Sequence, residues 1–401
     1  MQTGAHVPLQ PDHNFPKFVP DQTLTIMKDR IPFLSAIPLL LLMMACGQKT
    51  KVTDVVTLER TDSPAALLQA VQSIELIPLE SRPGEIVGPG AELDTDGSSW
   101  ILADKQPEPA VFRFDARGRF QNRIGHQGNG PGEYTTIQST QLQDGKLTVF
   151  SMPDLILHYS LDGTLLSQEN KEGLLLQSVC VPEGILTYRG YGAGSPARVD
   201  LLSEAGDKSF LESDAKLINM MPNGPIFTQE GSVTYFTDSY NPVIYAYEAG
   251  TVRPEVTFDF GKYALGERFY QFDDAFAAAE YMMSLPDGFA IIQRYLRGGD
   301  YQFVEAFIQQ DMQTDACYGI CRGREWTWFS LGKPGESPFA TSLRLLDGDR
   351  LCCLLDAGLL CNADHGLGGP LAALGGKISN PEVLDGIQPE DNPVIAVIHL
   401  K

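Results

Sequence analysis

Histidine and basic residues are scarce in this sequence. Only six of its 401 residues are histidine, and 30 lysines and arginines face 51 aspartates and glutamates, which gives a formal net charge of −21. A surface that is acidic on average repels nucleic acid, because nucleic-acid-binding proteins place cations opposite the phosphates. We therefore expect no nucleic-acid partner, and otherwise the charge indicates only a soluble surface.

The few histidines also argue against a metal site. Those that follow residue 46 are His126, His158, His365 and His399, and no two of them have the close spacing of a zinc-binding motif. The stretch Asp-Thr-Asp-Gly at residues 94–97 begins like a calcium loop but lacks the later ligands and the bidentate glutamate. We predict no metal site and no cofactor.

The apolar run near the N-terminus is too short to cross a bilayer comfortably. It covers the 15 residues 31–45, whereas a membrane-spanning helix needs ~20. Lys28 and Arg30 precede it and Cys46 follows it, which is the layout of a signal peptide. Its end, Met-Met-Ala-Cys-Gly, resembles the lipobox of bacterial lipoproteins, although Met43 stands where leucine is usual.

These features predict a lipoprotein signal peptide at residues 27–45, a lipidated Cys46 and a tether over residues 46–72. Residues 1–26 fit no signal-peptide plan, so we expect translation to start at Met27 and residues 1–26 to be a non-native extension. In some bacteria, lipoproteins exposed on the cell surface usually carry acidic residues just after the lipidated cysteine. Here that stretch holds Gln48, Lys49 and Lys51 instead. We expect an outer-membrane lipoprotein on the periplasmic face.

Two kinds of turn recur along the rest of the chain. An acidic residue, a glycine and a short apolar run occur together at Gly97, Gly145, Gly184, Gly231, Gly288 and Gly348. A second turn ends at Gly118, Gly163, Gly206 and Gly250. Two hairpins in each unit of roughly 40–50 residues are typical of β-propeller blades.

The repeat predicts an all-β, six-bladed β-propeller over residues 73–401. Its ring must be closed, since open sheet edges invite pairing with other chains, and we predict that residues 73–80 and 392–400 share one blade. A helical insertion is predicted near residues 266–284, with an apolar face that comprises Phe269, Phe272, Phe276, Ala279 and Met283.

Several strings resemble the six-bladed propeller lipoproteins of Bacteroides and its relatives, which are related in shape to NHL and TolB-like propellers. They are IELIPLE, VFRFDARGRFQNRIGHQGNGPGEY, VTFDFGKYAL and EDNPVIAVIHLK, together with the lipobox. The resemblance implies the fold and a location in the cell envelope. It implies no particular chemistry.

The glycine-rich segment at residues 124–134 does not match a dinucleotide-binding loop. Its glycines have the wrong spacing and Pro131 removes an amide donor. We predict that it joins the outer strand of one blade to the inner strand of the next, and that His126, Glu133 and Tyr134 lie on a ligand face.

Four further residues are candidates for the central channel. Tyr188, Arg189, Arg294 and Tyr295 lie four to seven residues after Gly184 or Gly288, at comparable places in their repeats. They are predicted to converge there.

Six cysteines follow Cys46: Cys180, Cys317, Cys321, Cys352, Cys353 and Cys361. An oxidising periplasm permits disulfides, and Cys317 and Cys321 are close enough to pair if the chain turns back between them. We predict disulfides or buried thiols rather than a zinc site.

Two functions remain open at the level of the sequence. The first is a non-enzymatic binding module for a glycan, a peptide or an envelope protein. The second is a lyase or hydrolase with its active site in the central channel. Several histidines or carboxylates within reach of each other in the channel would favour catalysis, whereas scattered aromatic and amide side chains would favour binding.

Overall fold

The computed structural model describes residues 54–105, 108–171, 173, 175–190, 197–212, 224–333, 335–362 and 364–401. Cys46 and the predicted signal peptide lie outside the described residues. The strands, in chain order, are β1 (Asp54–Thr57), β2 (Val71–Pro78), β3 (Glu92–Thr95), β4 (Ser99–Asp104), β5 (Ala110–Asp115), β6 (Phe120–Arg123), β7 (Ser139–Gln143), β8 (Lys146–Ser151), β9 (Leu155–Ser160), β10 (Leu165–Asn170), β11 (Gln177–Val181), β12 (Gly184–Tyr188), β13 (Ala197–Leu202), β14 (Lys208–Glu212), β15 (Phe227–Glu230), β16 (Val233–Asp238), β17 (Asn241–Glu248), β18 (Thr251–Asp259), β19 (Phe289–Gly298), β20 (Tyr301–Gln310), β21 (Gln313–Arg322), β22 (Glu325–Phe329), β23 (Leu343–Asp347), β24 (Arg350–Leu355) and β25 (Val394–Leu400). The helices are α1 (Ala65–Ala70), α2 (Ala275–Met283), α3 (Ala357–Leu360) and α4 (Ala372–Gly375), and 3-10 turns lie at Gly261–Tyr263, Glu267–Gln271, Gly369–Leu371 and Pro381–Gly386.

Six sheets, each with four antiparallel strands, make up the fold. In order from the inner strand outwards they are β3 to β6, β7 to β10, β11 to β14, β15 to β18, β19 to β22, and β23, β24, β25 and β2, which we number as blades one to six. The six inner strands contact one another in turn around a central channel. The chain is an all-β, six-bladed β-propeller, which confirms the predicted fold class.

Each pair of neighbouring blades is held together by a cluster of buried apolar side chains. Between blades six and one, for example, Leu354 and Ile395 share a cluster with Leu102 and Phe112. The middle strands of a blade are covered on both faces, so a strand such as β4 is buried along its whole length and does not alternate. Burying one large apolar side chain stabilises the fold by ~1.5–3 kcal/mol.

The two ends of the described chain meet in blade six. Strand β2 pairs antiparallel with β25, with Ile74 opposite Ile398 and Leu76 opposite Ala396. Beyond the pair, Lys401 N donates to Ala70 O at 3.0 Å. The predicted closure of the ring is confirmed.

Residues 54–72 belong to the propeller and not to a tether, which differs from our expectation. Strand β1 pairs in parallel with β18 and adds a fifth strand to blade four, where Val56 lies opposite Phe258. Helix α1 packs on β22 and buries Leu67 completely. Val56 and Leu67 lie in apolar runs of only two and four residues, at 55–56 and 65–68, which are too short to predict this docking from the sequence.

The hairpin glycines lie where the repeat places them, with one exception. In five blades the first hairpin, between the inner and the second strand, contains the predicted glycine: Gly97, Gly145, Gly184, Gly231 or Gly348. The second set of turns joins the third strand of a blade to its fourth. Gly288 instead precedes β19, the inner strand of blade five. Its assignment was wrong because the first three strands of blade five have ten residues each, which moves the first hairpin to Gly299.

Helix α2 confirms the predicted helical insertion. It begins after Asp274, whose carboxylate accepts hydrogen bonds from Phe276 N and Ala277 N, each at 3.2 Å. A carboxylate at this position satisfies amides that have no partner within the helix.

The face of α2 that packs on the propeller differs from the predicted one. Ala278 and Met282 are buried, whereas Phe276 is 85% exposed and Met283 is 53% exposed. The prediction was wrong by one residue because Phe269 lies in a separate 3-10 turn, so its spacing to the helix does not follow helical periodicity.

The six cysteines after Cys46 are free thiols. Cys317 and Cys321 lie on the same extended strand, β21, where four residues span ~13 Å and no disulfide can form between them. Burial raises the pKa of both thiols to about 11. The structure therefore supports buried thiols at these two positions.

Candidate functional site

The glycine-rich segment connects β6 of blade one with β7 of blade two, as predicted. It folds back on itself: Tyr134 N donates to His126 O at 3.2 Å, and Gly128 N donates to Tyr134 O at 3.1 Å. Glu133 accepts a hydrogen bond from Gly130 N at 2.7 Å and lies 3.0 Å from His126 Nε2. The amides of Gly128, Gly130 and Tyr134 are therefore bonded within the loop, and Gly132 N donates to Gln168 Oε1 at 2.8 Å, so none of these four is free for a phosphate.

Tyr134 is not on a ligand face. Its side chain is fully buried in the cluster between blades one and two. Its hydroxyl accepts from Val111 N at 3.3 Å and donates to Ile124 O at 3.4 Å. Of the three residues predicted in this loop, only the bonded pair His126 and Glu133 is accessible to a ligand.

Tyr188, Arg189 and Tyr295 do not reach the channel. Tyr188 is buried between blades three and four, and Tyr295 between blades four and five. Arg189 Nε donates to Asp200 Oδ2 at 2.9 Å. Gly184 precedes a second strand whereas Gly288 precedes an inner strand, so equal spacing from these glycines does not give equal positions. Arg294 is the one member of this group that lines the channel.

The central channel is a cavity of about 250 Å³ lined by side chains from the inner strands of all six blades. We call the end at which the inner strands begin the mouth. The side chains along the channel divide into two halves with different chemistry.

The neutral half comes from blades two, three and four. Ser139 Oγ donates to Ser178 O at 2.7 Å and accepts from Ser178 N at 3.0 Å. Gln141 Oε1 accepts from Cys180 N at 2.7 Å, and its amide donates to Gln229 Oε1 at 2.7 Å. An inner strand has a free edge toward the channel, and these side chains satisfy the backbone groups along it. The neutral half is therefore occupied with structural hydrogen bonds.

The charged half comes from blades five, six and one. Arg294 binds Glu92 with both terminal nitrogens, at 3.0 and 3.2 Å. Arg344 Nη2 donates to Pro89 O at 2.7 Å. Lys105, in the loop after β4, completes the cation group at the mouth. We call Glu92, Lys105, Arg294 and Arg344 the charged cluster.

A second carboxyl group, Glu305, lies beside the charged cluster. It is fully buried on β20, and its Oε1 accepts from Ser342 Oγ at 3.0 Å. Three buried polar atoms in this region have no hydrogen-bond partner among the described residues: Arg294 Nε, Arg344 Nε and Glu305 Oε2. Such atoms are rare in folded proteins, because each one has lost its bonds to water without replacement.

Burial and the neighbouring charges shift the pKa values of the groups at the mouth. Burial alone would raise the pKa of Glu92, but the charges of Arg294, Lys105 and Arg344 lower it to about 2. Burial raises the pKa of Glu305 to about 7, so this group is only partly charged at neutral pH. Burial lowers the pKa of Lys105, the nearby carboxylate of Glu92 opposes this shift, and the neighbouring arginines add to it. Three basic side chains, Lys105, Arg294 and Arg344, therefore line a channel that also holds the carboxylates of Glu92 and Asp94, in a chain whose total charge is −21.

Sequence reasoning missed Glu92, Lys105, Arg344 and Glu305. Glu92 lies five residues before the turn at Gly97, and Arg344 lies four before Gly348. A search before each turn glycine, along the inner strands, would have found these two. Nothing in the local sequence marks Lys105 or Glu305.

A family model described as a domain of unknown function, DUF4934, matches residues 50–399. The chain belongs to this family. The description of this family indicates no ligand. No curated protein matches the DUF4934 chain. No helix in the described part of the chain is long and apolar enough to cross a membrane.

Two solved structures are similar to the DUF4934 chain. A "putative exported protein" from Bacteroides fragilis NCTC 9343 has a TM-score of 0.66 at 15% identity, with 86% of this chain and 99% of that chain covered. The WD40 repeats of RRP9 have a TM-score of 0.41 at 10% identity, with 86% and 100% covered. The first match supports the fold, and the second is too remote to support an argument.

Proposed function

We propose that this chain is a binding module of the bacterial cell envelope, anchored by lipid on Cys46, that takes a ligand at the mouth of its central channel. The lipobox-like sequence and the resemblance to propeller lipoproteins support the anchor and the periplasmic face of the outer membrane. The fold match to a protein described as exported is consistent with that address.

One observation carries the choice of site. In the charged half of the channel, Lys105 and Arg344 line the cavity, and the described residues supply Arg344 with one acceptor, Pro89 O, whereas the side chains described in the neutral half are bonded to neighbouring backbone groups. Ligand sites combine a concave surface with a small number of polar groups that converge on it. The cavity of about 250 Å³ is slightly smaller than those that hold drug-sized molecules. We infer that it holds a single unit, such as one sugar or one amino-acid residue at the end of a longer chain.

An enzyme is the second candidate, because two channel carboxylates have pKa values displaced in opposite directions. Burial raises the pKa of Asp94 to about 6, whereas that of Glu92 is about 2. Such a difference is typical of acid and base pairs. Both groups are already bonded, however: Asp94 accepts from Thr95 N and Leu142 N, and Glu92 accepts twice from Arg294.

The bonding of both carboxylates favours binding over catalysis. No histidine is present among the described residues that line the channel. Among the described residues that line the channel, the carboxylates of Glu92 and Asp94 are therefore occupied by hydrogen bonds, which favours recognition over proton transfer.

The anchor is tested by fractionating bacteria that express the chain from Met27. We expect the unmodified protein in the membrane fraction and Cys46→Ala in the soluble fraction. Cys361→Ala, which changes an exposed cysteine of the propeller, is the matched control and should stay with the membrane. Soluble behaviour of the unmodified protein would overturn the anchor.

The site is tested with a panel of monosaccharides and blocked amino acids, using calorimetry for binding and NMR for chemical change. Thr140→Trp fills the channel from blade two and should abolish binding, while Thr327→Trp on an outer strand should not. A compound bound and recovered unchanged supports a binding module, and conversion that is lost in Thr140→Trp supports the enzyme. Binding that survives Thr140→Trp overturns the channel as the site.

A further inference from the structure

We propose that the charged cluster is a carboxylate-binding site, in which Arg344 and Lys105 receive a carboxylate of the ligand. This inference rests on the proposed function only in taking the channel as the place where the ligand binds. The group that the site recognises follows from the charges and hydrogen bonds around the mouth.

The first argument is a local surplus of positive charge. Lys105, Arg294 and Arg344 line the channel against two carboxylates, Glu92 and Asp94, and Glu305 beside them is only partly ionised at neutral pH. Cations that are partly removed from water are costly unless an anion compensates them. Since the chain as a whole is strongly acidic, this surplus is a property of the site and not of the surface.

The second argument is that the cations are incompletely bonded. The Nε atoms of Arg294 and Arg344 have no partner among the described residues, but both atoms are buried, so the donors that a ligand in the channel could reach are the terminal nitrogens of Arg344 and Lys105. A guanidinium carries five N–H donors, and the described residues supply Arg344 with one acceptor, Pro89 O. A ligand that accepts hydrogen bonds at the mouth would supply what the protein itself does not.

The third argument concerns the shape of the acceptor. Arg294 already holds the carboxylate of Glu92 with two parallel bonds, so the mouth has the geometry in which an arginine recognises a planar carboxylate. Three basic side chains against the carboxylates of Glu92 and Asp94 leave a surplus of about one charge, which falls further when Glu305 loses its proton. A group with one negative charge fits this balance better than a phosphate with two.

The apolar residues that line the channel indicate what kind of molecule carries the carboxylate. Leu93, Leu296, Leu345 and Leu346 line the channel beside the charged cluster. They offer apolar contacts to a sugar ring or to a short aliphatic side chain. The shared chemistry is therefore a carboxylate on a compact body, which a uronic acid or the C-terminal residue of a peptide would both provide.

The test is calorimetry on the full chain at pH 7, with two acids and their uncharged counterparts. The probes are glucuronate against glucose, and N-acetylalanine against N-acetylalaninamide. We expect at least one acid to bind and its neutral partner to bind at least tenfold more weakly. Preference for glucuronate would identify a uronic acid as the source, and preference for N-acetylalanine would identify a peptide terminus.

Variants assign the binding to named residues. Arg344→Gln and Lys105→Gln should each weaken binding of the acid by tenfold or more, because a charge-assisted hydrogen bond is lost. Arg324→Gln and Lys146→Gln make the same changes of charge at exposed hairpin positions and should leave the affinity within twofold. Circular dichroism of each variant shows that the fold is kept.

The carboxylate assignment would be overturned by equal binding of acid and neutral partner, by unchanged affinity in both channel variants, or by tighter binding of inorganic phosphate than of either acid. Failure of both acids to bind has the same consequence. If a neutral compound from the panel binds and Thr140→Trp abolishes that binding, the proposed function stands and only this inference fails. If Thr140→Trp leaves all binding unchanged, the proposed function fails as well.

Discussion

Arg294 in blade five and Glu92 in blade one form a bidentate ion pair across the mouth of the channel, at 3.0 and 3.2 Å. Blade six lies between these blades in the ring, so the pair joins two blades that share no interface. Removing one member of a buried pair leaves the other charge without compensation. We expect Arg294→Gln to lower the free energy of unfolding by about 3 kcal/mol, measured by urea denaturation.

A double-mutant cycle separates the pair from its surroundings. Glu92→Gln should also destabilise, and the double variant should cost less than the sum of the two single changes by at least ~1 kcal/mol. Additive effects would show that the two side chains do not depend on each other and would contradict the ion pair as described.

The raised pKa of Glu305 predicts a specific dependence of stability on pH. Burial raises this pKa to about 7, while an ordinary glutamate titrates near ~4.3 in an unfolded chain. Between these values the folded chain keeps a proton that the unfolded chain has released. The stability contributed by this proton is therefore full at low pH and is lost as pH rises through 7.

Glu305→Gln resembles the protonated side chain at every pH. We expect its stability relative to the unmodified protein to increase by about 2–3 kcal/mol between pH 5 and pH 8, in urea denaturation at the two pH values. Glu325→Gln changes an exposed glutamate and should show no such trend. A constant difference for Glu305→Gln would mean that the group does not titrate in this range.

The fold could be predicted from the sequence because each hairpin depends on a local feature. The residues of the channel could not be predicted in this way. Gly118 and Gly163, together with the residues around them, each indicate a turn. The spacing between successive turns then predicts the length of one blade. Arg294, Glu92 and Arg344 are distant in sequence and meet only because three inner strands surround one axis. Blade five shows the limit even for the fold, since its ten-residue strands displaced the hairpin that the repeat places at Gly288.

Gly118 is required where blade one meets blade six. It has a φ of +78°, and a Cβ there would lie 2.1 Å from Pro78 O at the end of β2. Gly97 has a similar φ of +82° but open space around it. Gly97→Ala should cost about 1 kcal/mol for the backbone conformation alone, and Gly118→Ala should cost at least twice as much in thermal or urea denaturation. Equal costs would show that the blade closure tolerates a displacement of this turn.

Two adjacent methionines test which face of α2 packs on the propeller. Met282 is 8% exposed and contributes to the cluster that contains Phe269 and Phe289, whereas Met283 is 53% exposed. Met282→Ala removes buried methylene groups and leaves a cavity, so we expect the free energy of unfolding to fall by about 2–3 kcal/mol. Met283→Ala should change it by less than ~0.5 kcal/mol. The helical spacing from Phe269 predicts the opposite order, so urea denaturation of the two variants decides whether the helix packs through the face seen in the structure or through the one that the sequence pattern indicates.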